Sequence, residues 1–163
     1  MKAIAAVSFF SLAGIVGFLL SDEPSTPLLL YYVALVINSY FSVATFAPMT
    51  PTSIPQALID TALTVLYGAL ALSFESVGNF TLISAALFLL ATLKYVHLRT
   101  VVSSPYLIPR KIRIDLLGAG LSLATFVLVR AGYPDLAAWT LAALFIGANV
   151  YLLFVSPMYR STP

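Results

Sequence analysis

Leu136-Ala-Ala-Trp-Thr-Leu-Ala-Ala-Leu-Phe-Ile-Gly-Ala-Asn-Val-Tyr-Leu-Leu-Phe-Val155 is a run of 20 residues that contains no charged side chain. As a helix it would measure about 30 Å, the thickness of a bilayer's hydrocarbon core. The Pro134-Asp135 pair stands before it and Ser156-Pro157 after it, so the sequence punctuates the run at both ends.

Five earlier runs have the same character: Ala3 to Leu20, Leu28 to Phe46, Pro55 to Phe74, Phe80 to Leu98 and Ile112 to Val129. None keeps the strict alternation that a barrel strand needs. Across the chain 61% of residues are hydrophobic and 9% charged, against about half and about a quarter in soluble domains. A chain of this length cannot bury that much apolar surface in water. The expectation is an all-α integral membrane protein, one transmembrane helical domain over residues 1–163 with six spans. The first run follows Lys2 as a signal peptide would, but its length and the lack of a small-x-small site before Asp22 favour a span.

Pro24, Pro27, Pro48, Pro51, Pro55, Pro105, Pro109, Pro134 and Pro157 all fall in connections or terminal turns, leaving the spans unbroken. Thr26, Ser53, Asn79 and Asp135 stand where capping residues are expected. An alternating path puts Lys2, Lys94, Arg99, Arg110, Lys111, Arg113 and Arg160, seven of the eight basic residues, on one side. Asp22, Glu23, Glu75 and Asp135 fall on the other with Arg130. By the positive-inside rule both termini, and the connection around Ser103, are expected in the cytoplasm, and the expected location is the plasma membrane of a prokaryote. Tyr31, Tyr32, Tyr133 and Trp139 would form the outer aromatic belt, and Tyr95, Tyr106 and Tyr159 the inner one.

The third and fifth spans begin alike. Ile54-Pro55 and Ile59-Asp60 are matched by Ile108-Pro109 and Ile114-Asp115, at offsets of 54 and then 55, and Tyr95 matches Tyr151 after one more inserted residue. The pattern predicts three hairpin repeats of about 55 residues.

The absence of cysteine excludes disulfides, thiolate metal sites and thiol nucleophiles. The lone His97 cannot provide paired haem ligands, and no phosphate-binding loop, Gly-x-Ser-x-Gly or paired-acid motif is present. The expectation is a protein that is not an enzyme, takes no cofactor and no metal, and does not bind nucleic acid. Asp60 and Asp115 each lie about a turn inside a span, where a carboxylate needs a partner. Lys94 is expected to pair with Asp60, and Arg110, Lys111 and Arg113 lie near Asp115. Asn38 and Asn149, at comparable depth in the second and sixth spans, are candidate ligand contacts. Lys94, His97, Arg99, Arg110, Lys111 and Arg113 form a candidate surface for anionic lipid or an acidic partner. The small-residue pairs Ala13/Gly17, Gly118/Ser122, Gly120/Ala124 and Ala143/Gly147 should allow close helix packing.

With so few polar side chains at depth, a packed interior without a polar channel is expected. That favours a noncatalytic subunit or assembly partner of a larger membrane complex, touching membrane lipids and other subunits or copies of itself. The alternative is a small transporter or channel, homo-oligomeric in one form of that reading.

Overall fold

The structure, a computed structural model, describes residues 2–102 and 106–159; Ser103 and Arg160 therefore lie outside the described residues. It is all-helical, with six helices long and apolar enough to cross a membrane. The chain is a multi-pass helical bundle. Helices are the natural outcome, because lipid offers backbone N–H and C=O groups no partner outside their own helix.

The helices are α1 Lys2–Leu20, α2 Thr26–Phe46, α3 Ile54–Ala71, α4 Val77–Val101, α5 Leu107–Arg130 and α6 Pro134–Val150. A 3₁₀ turn at Ala47–Met49 follows α2, and a π-helical turn at Tyr151–Val155 extends α6. Of the four expected caps only Ser53 acts as one, its hydroxyl accepting the Gln56 N–H at 3.3 Å. Ser76 rather than Asn79 caps α4, because that helix starts a turn earlier than its apolar run. Ser25 precedes α2 without a side-chain bond, and Asp135 lies in the first turn of α6. At the end of α5, Gly132 takes φ +90°, so that Tyr133 and Gly132 can donate to the Leu128 and Val129 carbonyls.

Neighbouring helices close a ring in the order α1, α2, α6, α5, α4, α3 and back to α1. Because α4 also touches α6, the ring divides into a tight α4–α5–α6 side and a more open side between α1, α2, α3 and α4. This neighbour order does not repeat hairpin by hairpin: α1, not α2, packs on α3. At one end, the acidic end, Ser25 N–H donates to the Phe74 carbonyl at 3.0 Å and the Asp22 N–H to the Glu75 carboxylate, joining the first and third connections. The opposite, basic end carries Lys2, Lys94, Lys111 and the arginines of α5's first turns.

Between these ends the acidic half is tightly filled. Tyr31, Leu28, Leu70, Phe74 and Phe80 are fully buried, with Tyr31 edge-on to Phe80 and 4.4 Å from the Phe145 ring. Tyr31 and Tyr32 therefore leave the expected outer belt, as Tyr95 leaves the inner one: their rings fill the core and their hydroxyls find partners there. Tyr133 and Trp139 remain exposed. Gly17 lies so close to α3 that a Cβ there would run into the Ala71 carbonyl, and a Cβ at Gly118 would come within 3.0 Å of the Phe88 ring. The other two small pairs point outward, since nothing lies within 4 Å of a Cβ built at Gly120 or Gly147.

Candidate functional site

The more open side of the ring holds a cavity of about 270 Å³ at the basic end. Five helices line it: Lys2, Ala6 and Phe10 from α1, Asn38, Ser39 and Ser42 from α2, Asp60, Thr64 and Tyr67 from α3, Lys94 and Tyr95 from α4, and Lys111 and Asp115 from α5. The expected packed interior is corrected here. Small side chains, Ser39, Ser42 and Ala91 among them, leave space that three lysines and two tyrosines edge with polar atoms.

The cavity does not run through the membrane. Phe10 and Tyr67 stack at its floor with ring centroids 3.9 Å apart and planes 10° from parallel. Tyr32 fastens this stack from the far side, its hydroxyl donating to the Phe10 carbonyl at 3.0 Å and the Tyr67 carbonyl at 3.4 Å. The Tyr67 hydroxyl in turn bonds Ser39. Beyond the floor, Tyr31, Ser84 and Ser122 link α2, α4 and α5 through their hydroxyls, with Ser84 and Ser122 3.0 Å apart.

Asp60 stands at the mouth, its side chain 48% exposed. Its Oδ1 accepts from Lys94 Nζ at 2.7 Å and from Gln56 Nε2 at 3.0 Å. The ion pair expected from the sequence is thus present. Because one partner is half solvated, its strength should lie near that of surface pairs rather than buried ones. In a double-mutant cycle of Asp60→Asn and Lys94→Met, we expect a coupling of about 0.5–1 kcal/mol. Strictly additive losses in thermal unfolding would show that the two side chains do not interact.

Asp115 sits deeper and is fully buried. It pairs with Lys111 one turn earlier on the same helix, and Lys111 Nζ lies 5.3 Å from the centre of the Tyr95 ring. Its second oxygen, Oδ2, has no partner among the described residues. The arrangement repeats that at Asp60, since Gln56 stands to Asp60 as Lys111 stands to Asp115, four residues apart in each case. Tyr95 donates to or accepts from Ser42 at 2.8 Å, and Tyr159 folds back to donate to Asn38 Oδ1 at 2.9 Å. Burial holds the Tyr159 phenol above its usual range, so it stays a neutral donor.

Three of the four intramembrane candidates, Asp60, Asp115 and Asn38, therefore line one cavity. Asn149 does not: it turns away between α5 and α6, donates to the Phe145 carbonyl at 2.9 Å, and leaves its Oδ1 without a partner among the described residues. The basic surface group also divides. Lys94 and Lys111 point inward to carboxylates, because a buried carboxylate is costly unless a cation reaches it. Arg99 and Arg113 stay exposed, His97 is partly covered, and Arg110 donates through Nη2 to the Ser156 carbonyl and hydroxyl, both at 2.9 Å.

Sequence reading missed Tyr67, Tyr95, Ser42 and Lys2 as lining residues, and Gln56 as a partner of Asp60. The spacing of Gln56 to Asp60 and of Lys111 to Asp115 was the available signal, because residues four apart share a helix face. No protein-family model, no curated protein and no solved structure matches this chain.

Proposed function

We propose that the protein is a small noncatalytic carrier in the plasma membrane of a prokaryote, oriented with the basic end in the cytoplasm, that binds a small zwitterionic solute in the basic-end cavity. The observation that carries this reading is a dead-ended cavity edged by two Asp–Lys pairs within membrane-spanning helices. Ionisable groups at such depth are costly and mark solute or ion pathways more often than structural joints. A cavity closed at one end only is what one state of an alternating-access cycle requires. The matching contacts in α3 and α5 support a duplicated hairpin, although the ring order gives the duplicates different neighbours.

The charge balance favours a solute of both signs. Its ammonium group could replace Lys94 on Asp60 while its carboxylate took Lys94, so no charge would lose its partner during the exchange. A solute of one sign would strand one of the two. The volume equals about nine waters at roughly 30 Å³ each, which suits a molecule the size of an amino acid.

The test is uptake of a mixture of radiolabelled neutral amino acids by liposomes containing the purified chain, with Thr26→Cys and Thr52→Cys labelling to report orientation. Asp60→Asn and Lys94→Met, eluting as the parent protein does, should each lower uptake about tenfold, the loss expected for one charged hydrogen bond. Uptake no faster than in empty liposomes would defeat the reading.

One observation favours the subunit alternative. An apolar groove of about 600 Å³ runs along the outer side of α1 and α2, lined by Val7, Ile15, Phe18, Val33 and Ile37, and could seat a partner helix. Co-purification of a second chain in mild detergent would support that reading.

A further inference from the structure

A second groove lies between α5 and α6 and reaches inward to Phe88 of α4 and Asn38 of α2. It encloses about 460 Å³ and is walled by Leu117, Leu121, Leu144, Ala148 and Leu152, with Arg110 at its basic end. Arg110 also lines an adjoining pocket of about 400 Å³, shared with Tyr106, Pro109, Arg113 and Ser156. Among the described residues no carboxylate lines either space.

We propose that these joined spaces bind one anionic phospholipid, its phosphate held by Arg110 and Arg113 and one acyl chain lying in the α5–α6 groove. The sequence of environments along the protein is that of a lipid leaflet, with a cationic, hydroxyl-bearing pocket at the interface and an apolar trough running toward the midplane. Guanidinium groups suit this task because they meet phosphate oxygens with several donors in a fixed plane. Among the described residues Arg110 donates hydrogen bonds only through Nη2, to Ser156, while its guanidinium lies over the Tyr106 ring 6.0 Å from the centre, and these contacts aim it at the pocket. The exposed Arg113 completes the cationic pair from the next turn of α5. A zwitterionic headgroup would bring its own cation beside two arginines, so the site should discriminate against it.

The experiment is thermal unfolding of the full chain in neutral detergent with dioleoyl phosphatidylglycerol or dioleoyl phosphatidylcholine added. Phosphatidylglycerol should raise Tm by several degrees and phosphatidylcholine by much less, because a ligand that binds only the folded state stabilises it. Arg113→Gln should remove most of the difference, and so should Ala148→Phe, which fills the groove while leaving both arginines. Both positions are exposed, so neither change burdens the fold. Glycerol 3-phosphate alone should have no effect. Equal shifts from the two lipids, a shift that survives both substitutions, or one reproduced by glycerol 3-phosphate would each overturn the proposal.

Discussion

Lys111→Met is expected to destabilise the bundle by about 3–5 kcal/mol, because it leaves the Asp115 carboxylate buried with neither a cation nor a donor. Asp115 already carries one oxygen without a partner among the described residues, so none of these stands ready to take over. The double variant Lys111→Met with Asp115→Leu should recover most of the loss, since replacing both partners by apolar groups removes the stranded charge. The measurement is thermal or denaturant unfolding of the purified chain in detergent. A single variant as stable as the parent, or a double variant worse than the single, would mean that the pair is not the buried joint described above.

Gly17→Leu should have the other large effect. At this position α1 rests on the backbone of α3, and the first atom of any side chain would collide with the Ala71 carbonyl. Backbone cannot rotate aside as a side chain can, so α1 would have to lift away, at about 1–3 kcal/mol or more. Gly120→Leu is the matched control, because a Cβ there meets nothing within 4 Å. In a membrane the lost term is packing between helices rather than exclusion from water, so the damage should appear as faster proteolysis of the connection after α1. Equal behaviour of the two variants would show that α1 and α3 do not touch as described.

The six spans were readable from the sequence because an uncharged run of bilayer length has one stable environment. Their ends were less so. Ser76 and Asn79 both have capping side chains, and only the folded turn selects between them. The pairing of Asp60 with Lys94 was legible because both residues had to sit near the same interface on helices joined by a short turn. The inward turn of Lys111 was not, since Arg110, Lys111 and Arg113 look alike until helix phase around the ring is known. Asn38 and Asn149 show the same limit. Depth along the membrane follows from counting residues, but whether a side chain faces the cavity or a groove depends on the neighbour order, which adjacent sequence does not encode.

The π turn at Tyr151–Val155 takes in one more residue than an α-helical turn would. An extra residue in a helix must either rotate everything after it by about 100° or be absorbed locally as a wider turn. Here it is absorbed, and the tail beyond keeps the phase that buries Met158 and carries Tyr159 back to Asn38. Shortening the widened turn by one residue would therefore swing the end of the chain out from under the cavity.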